Sequence, residues 1–162
     1  MSENVTVNPK VSILMPVHKI TYFTNQAIRC AVNQTYQDIH LYIIDNSEHG
    51  TFELDNSLKD LRKKITVLKA NEKRSAAYAR NIGLSKIKSK YVAFVDSDDY
   101  VDQNHISEGV KFLDNYSNKK VVYSTAYVNS DNGKLEVRKS NSRITLFTIC
   151  TFCPVSLGTS IM

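Results

Sequence analysis

Short apolar runs alternate along this chain with stretches in which apolar residues recur every three or four positions. The runs at residues 11–17 (VSILMPV), 41–45 (LYIID), 65–68 (ITVL) and 91–95 (YVAFV) have the length and β-branched or aromatic content of buried strands. Between the first two, Phe23, Ala27, Ile28, Ala31 and Val32 fall on one face of an amphipathic helix of about three turns. Leu54, Leu58 and Leu61 predict a second helix, Ala76, Ala79, Ile82 and Ile87 a third, and Ile106, Val110 and Leu113 a fourth. Residues 121–128 (VVYSTAYV) read as one further strand, and the DNG at 131–133 as a turn closing a hairpin onto residues 135–137.

Strands alternating with helices imply a largely parallel sheet covered on both faces, and such sheets bind ligands beyond the carboxyl ends of their strands. Three polar clusters fall at those ends: Pro16-Val17-His18, Asp45-Asn46-Ser47 and Asp96-Ser97-Asp98-Asp99. The last sets three carboxylates within four residues, so a positive partner must offset their repulsion; solvent, an arginine or a divalent metal could serve. Neither G-x-G-x-x-G nor G-x-x-x-x-G-K-[ST] occurs, so phosphates would be held by metal and cations rather than by a glycine-rich loop.

The length, 162 residues, is that of about one domain, and 42% hydrophobic with 23% charged residues is an ordinary globular composition that argues against disorder. A net charge of +5 suits phosphate-bearing ligands, nucleic acid or an anionic membrane surface and selects none of them. The basic residues are dispersed and no stacking aromatic motif accompanies them, which weighs against a nucleic-acid partner. Cys150 and Cys153 form a C-x-x-C in an apolar run with no second pair after it, so reduced thiols are the expectation for these and for Cys30. The first ten residues are polar and lack the apolar core of a secretory signal, which points to the cytoplasm. Residues 144–162 carry no charge, yet their threonines, serines, Pro154 and Gly158 favour core strands over a membrane span.

Three segments, VSILMPVHK, AVNQTYQDIHLYIIDNS and AYARNIGLSKIKSKYVAFVDSDD, resemble in order and spacing the N-terminal half of the family 2 glycosyltransferases. That resemblance implies the GT-A fold, a three-layer α/β sandwich with a mostly parallel central sheet. It also implies a nucleotide-diphosphate sugar as donor, Mn2+ or Mg2+ as cofactor, and an inverting reaction in the intact protein. By the same resemblance Asp98 binds the metal, and Asp96 contacts the ribose or reaches the metal through water. Asp45 hydrogen-bonds the nucleobase, Arg80 assists the diphosphate, and Pro16 and His18 belong to the donor site. His18-Lys19 stands where the family has Tyr-Asn, and an imidazole can still stack on a base.

Read without the resemblance, the same residues have plainer roles. Asp45-Asn46-Ser47 can be a turn, Arg80 a structural partner of Asp96 or Asp98, and Asp99 and Asp102 solvated or helix-capping carboxylates. Lys73 and Arg74 can sit on a solvated loop or form a basic loop facing a diphosphate; against the family pattern they stand in place of a glycine in a segment longer by about two residues. The resemblance further implies that about residues 11–102 form the donor-binding part and residues 103–162 the incomplete start of an acceptor-side part, with the general base beyond Met162. A glycan or lipid-linked acceptor is the implied partner, in the cytoplasm or peripherally at the inner face of the membrane. The alternative is a non-catalytic module that binds a nucleotide or a partner on the same sheet.

Overall fold

The computed structural model describes residues 9–47, 52–70, 75–129, 135–138 and 160–161. Its main sheet has six strands: β1 (Val11–Val17), β2 (Ile39–Asp45), β3 (Ile65–Lys69), β4 (Tyr91–Phe94), β5 (Val122–Tyr123) and β8 (Ser160–Ile161), in the order β3-β2-β1-β4-β8-β5. β1 to β4 run parallel, while β8 is antiparallel to both β4 and β5. β6 (Ala126–Asn129) and β7 (Leu135–Arg138) pair separately as an antiparallel hairpin. The mostly parallel α/β sandwich is therefore as the sequence implies.

Alternation along the strands sorts the core into two layers. Val11, Ile13, Met15 and Val17 of β1, with Leu41, Ile43 and Ala93, face one side. There they meet Ala27, Ile28, Ala31 and Val32 of α1 (Tyr22–Val32), Leu58, and Ile106, Val110 and Leu113 of α3 (His105–Asn115). Leu14, Tyr42, Ile44 and Phe94 face the other side, against Ala79 of α2 (Ala76–Lys86). Full burial of each such side chain stabilises the fold by roughly 1.5–3 kcal/mol, which explains why the period-2 and period-3.6 patterns are so clean. Gly83 lets α2 lie close on the sheet: a Cβ there would stand 3.1 Å from side-chain carbons of both Leu14 and Ile44.

Pro16 sits in the central strand without breaking it. The Leu14 carbonyl accepts from Val95 N–H at 3.1 Å on the β4 side, and the last β1–β4 pair is Leu14 with Phe94. Two residues on, the proline nitrogen points to that same side, past the end of the ladder, where no donor is required.

At the opposite end of the strands one carboxylate ties three elements together. Asp114 of α3 accepts from Lys10 Nζ (2.8 Å), Lys90 Nζ (2.7 Å) and the Tyr91 hydroxyl (2.7 Å). The hydrogen bonds from Lys10, Lys90 and Tyr91 hold its carboxyl well below the usual carboxylate range.

Two predicted elements are corrected. The segment carrying Leu54, Leu58 and Leu61 is a 3-10 helix over Asn56–Lys64, started by Asp55 accepting from Ser57 N–H at 2.7 Å. Three leucines at spacings of four and three cannot separate a period of 3.0 from one of 3.6, and only Leu58 is fully buried. The expected single strand at 121–128 is two strands, because the chain leaves the main sheet at Ser124-Thr125 and enters the hairpin. Valine and tyrosine stand on both sides of Ser124-Thr125, and no glycine or proline marks the transfer. The hairpin itself is as expected, although its DNG turn lies outside the described residues, as do Lys73, Arg74, His49, Cys150, Cys153 and nearly all of 144–162.

Candidate functional site

The chain winds from β1 outward through β2 to β3 and then returns to the other side of β1 as β4. This reversal opens a crevice at the carboxyl ends of β1, β2 and β4, the place where open parallel sheets bind ligands. A cleft of about 490 Å³ occupies it, lined by Pro16, His18, Lys19, Thr21, Asn46, Ser75, Ala76, Arg80, Asp96, Ser97 and Asp98.

Five of the six predicted site residues thus share one cleft: Pro16, His18, Arg80, Asp96 and Asp98. Arg80, one turn into α2, is ion-paired with Asp96 just after β4. The arginine is mostly enclosed (12% exposed) and its guanidinium carbon lies 6.0 Å from the centre of the Phe94 ring. Its Nε is buried with no hydrogen-bond partner among the described residues. The counter-charge that the acidic turn requires is therefore this arginine, at least at Asp96. Asp98 is exposed. Asp99 N–H closes the turn on the Asp96 carbonyl at 3.1 Å. Its own carboxyl is pushed up by partial burial and by the neighbouring Asp96 and Asp98 charges.

Asp45 is placed differently. It is 2% exposed and is not among the residues that line the cleft. Its carboxylate accepts from Ser47 N–H (3.0 Å), Ser47 Oγ (2.6 Å) and Phe52 N–H (2.9 Å), an Asx turn at Ser47 with a further tie to Phe52. Burial alone would raise its pKa, but the Ser47 and Phe52 hydrogen bonds outweigh it and the net shift is downward. The neighbouring Asn46 lines the cleft instead, and its carbonyl accepts from His18 Nδ1 at 3.1 Å, joining the β1 and β2 loops.

Thr21 and Ser75 are lining residues that the sequence reading did not name, and Lys19, Asn46 and Ala76 are ones it named without a role in the site. Ser75 was findable: it is a small polar residue before an alanine-rich helical pattern, and its Oγ accepts from Tyr78 N–H at 3.3 Å as the α2 N-cap. The start of α2 consequently opens on the cleft, where helix amides attract anions. Of the histidines left unassigned, His40 is a core residue, its Nε2 2.8 Å from Thr66 Oγ1 and its pKa lowered by burial.

No group of three His, Cys, Asp or Glu able to hold a metal is gathered among the described residues. The acidic turn nonetheless offers hard oxygen donors from Asp96 and Asp98 beside a cationic arginine. That donor set fits Mg²⁺ or Mn²⁺, ions that are commonly bound through one or two carboxylates completed by substrate phosphates and water.

A parallel sheet with an acidic turn and a basic helix at its switch point is the architecture of the GT-A glycosyltransferases, and solved structures agree. The chain superposes on Staphylococcus aureus TarS with a TM-score of 0.57 at 18% identity, over 73% of this chain and 20% of that one. It superposes on a mannosyltransferase from Pyrobaculum calidifontis, solved with GDP-Man and Mn²⁺, with a TM-score of 0.51 at 18% identity, over 67% and 33%. The model of the glycosyl transferase family 2 matches residues 12–156, and the chain belongs to that family. Among curated relatives, an uncharacterized glycosyltransferase of Haemophilus influenzae is 35% identical over 106 residues, 65% of this chain and 42% of the relative. The Escherichia coli UDP-Glc:alpha-D-GlcNAc-diphosphoundecaprenol beta-1,3-glucosyltransferase WfaP is 32% identical over 155 residues, 94% of this chain and 60% of WfaP. The chain thus spans between two and three fifths of these relatives' lengths.

Proposed function

We propose that this chain forms the donor-binding part, residues 11–102, of an inverting glycosyltransferase that takes its sugar from a nucleotide-diphosphate donor. The observation that carries the reading is the convergence of Arg80, Asp96 and Asp98 in one cleft at the switch point of the sheet. Arg80 would hold a non-bridging oxygen of the diphosphate and, through its ion pair, orient Asp96 toward the ribose or the metal site. Asp98 holds the metal. Mn²⁺ or Mg²⁺, when bound with the donor, supplies Lewis-acid stabilisation of the departing diphosphate. The His18 ring stands beside the base, tethered through the Asn46 carbonyl. Asp45 supports the base site by shaping the loop from which Asn46 projects, rather than by touching the base. The acceptor hydroxyl attacks the anomeric carbon on the face opposite the diphosphate. With Asp96 and Asp98 committed to the donor, a different carboxylate takes its proton.

A UDP-sugar donor and a lipid-linked diphosphate-sugar acceptor are supported by the likeness to WfaP, whose name specifies both. The work would take place at the inner face of the membrane, with peripheral association. No helix among the described residues is long and apolar enough to cross a bilayer. Calorimetric titration of UDP and of GDP, with Mn²⁺ and then with chelator, on wild type and Asp98→Ala tests the reading. Metal-dependent UDP binding lost in the variant is the expected result; no binding of either nucleotide under any condition would overturn it. Donor hydrolysis separates an enzyme from a non-catalytic binding module.

A further inference from the structure

Gln34 and Thr35, just beyond the Asn33 C-cap of α1, reach across the molecule to the segment that follows the acidic turn. Gln34 is 2% exposed. Its Nε2 donates to the Cys30 carbonyl in the last turn of α1 (2.9 Å) and to the Asp102 carbonyl (3.0 Å). Its Oε1 accepts from Ile106 N–H at the start of α3 (3.0 Å). One amide thereby satisfies an unpaired acceptor of one helix end and an unpaired donor of another. The second is needed, since Asn104 at the N-cap of α3 makes no side-chain capping bond. Thr35 adds its N–H to the Gln103 carbonyl (2.8 Å), and its Oγ1 lies 3.1 Å from the Gln103 carbonyl, Asn104 Oδ1 and Ser107 Oγ.

These contacts bear on Asp96 and Asp98 through the chain between them. The acidic turn is fixed at its start by Val95 N–H on the Leu14 carbonyl, and at its far side by Tyr100, whose hydroxyl donates to Gln26 Oε1 of α1 at 2.7 Å. Val101 packs on the main core, and four residues after Asp98 the Asp102 carbonyl is gripped by Gln34. The carboxylates are strung between β4 and this grip; within the Asp96–Asp99 turn Asp96 is also held by Arg80 of α2, while Asp98 depends on the backbone on either side of it.

We propose that Gln34 and Thr35 are positioning residues for the donor site: they clasp residues 102–107 to α1 and thereby set where Asp96 and Asp98 meet the metal and diphosphate. The inference rests on the donor reading above. Outer supports of metal-binding carboxylates are typically worth about 10- to 100-fold in metal affinity, so removal of the grip should be felt there first.

Gln34→Glu keeps the acceptor for Ile106 but turns the two donor contacts into repulsion between oxygens. Thr35→Val keeps shape and backbone contacts and removes only the hydroxyl; Thr35→Ser restores it. The test is the Kd of UDP in the presence of Mn²⁺ and in the presence of chelator, with amide exchange of residues 96–103 followed in parallel. The expected result is a Kd with Mn²⁺ weakened about tenfold in Gln34→Glu and a few-fold in Thr35→Val. Thr35→Ser should match wild type, the chelator Kd should be unchanged in all, and exchange across 96–103 should be faster in the two weakened variants. A purely structural role would lower Tm and leave the Kd of the folded protein alone. An Mn²⁺-dependent Kd equal to wild type in both Thr35→Val and folded Gln34→Glu overturns the clasp and leaves the donor reading standing. A wild-type chain that binds UDP under neither condition overturns the donor reading, and the clasp falls with it.

Discussion

Arg80 and Asp96 are ion-paired across the cleft, from α2 to the end of β4, and the Nε of that same arginine is buried without a hydrogen-bond partner among the described residues. A buried guanidinium held by a single carboxylate is an incompletely satisfied group. It can take a second anionic partner, and under the proposed function that partner would be the diphosphate.

Removing the guanidinium should therefore weaken nucleotide binding more than it weakens the fold. Arg80→Ala is expected to raise the UDP Kd by about 10- to 100-fold, in keeping with the ~1.5–3 kcal/mol of a charge-assisted hydrogen bond. Arg80→Lys should recover little, since an ammonium cannot span the carboxylate and the phosphate as a planar fork does. Calorimetry with UDP and Mn²⁺ decides this; full affinity in Arg80→Ala would show that the pair is structural only.

Asp45 should behave as a loop anchor. Asp45→Asn places an amide donor among backbone and hydroxyl donors and is expected to cost about 1–3 kcal/mol of stability. Because the folded pKa lies below the unfolded one, the ionised carboxylate stabilises the protein above pH ~4 and that contribution fades as pH falls through the lower folded value. The gap in thermal unfolding between wild type and Asp45→Asn should therefore be full at pH 7 and narrow only as acid reaches the depressed folded value. Retained Tm with lost UDP binding in the variant would instead return Asp45 to the base site.

The Asp114 hub predicts a second acid-sensitive element far from the cleft. Its carboxyl is held low by Lys10, Lys90 and Tyr91, so the hub is intact at neutral pH and is lost only when acid reaches its depressed folded value. Asp114→Asn should unfold at a lower temperature than wild type at pH 7 while leaving UDP affinity unchanged. An altered nucleotide Kd would show that the two ends of the sheet are coupled.

At Gly83, alanine offers up to about 1 kcal/mol of helix propensity against the 3.1 Å approach to Leu14 and Ile44, so Gly83→Ala should be near neutral. Gly83→Leu overfills the interface and is expected to cost about 1–3 kcal/mol or more by chemical denaturation. A stable Gly83→Leu would mean that α2 can lift from the sheet.

Much of this was legible in the sequence because burial writes itself as periodicity. β1 alternates between two fully covered faces, and α1 shows Ala27, Ile28, Ala31 and Val32 at helical spacing. The acidic turn and Arg80 were legible through motif order, and the cleft does gather them. Side-chain direction was not. Asp45 and Asn46 are adjacent, and which one turns to the cleft depends on Ser47 and Phe52 amides whose positions follow from the loop path. Gln34-Thr35 was legible as part of the motif order that follows the first helix, but not its contacts: two of the partners of Gln34 lie 68 and 72 residues away, beyond the range of any local pattern.

Pro16 has one more consequence. A strand edge that still offers amides beyond its last partner can be zipped further, by its neighbour or by a stray strand from another molecule. Here the central strand runs out of donors at the very point where β4 turns away. On the β4 side Pro16 thus leaves no amide with which a further ladder bond could be made beside the crevice.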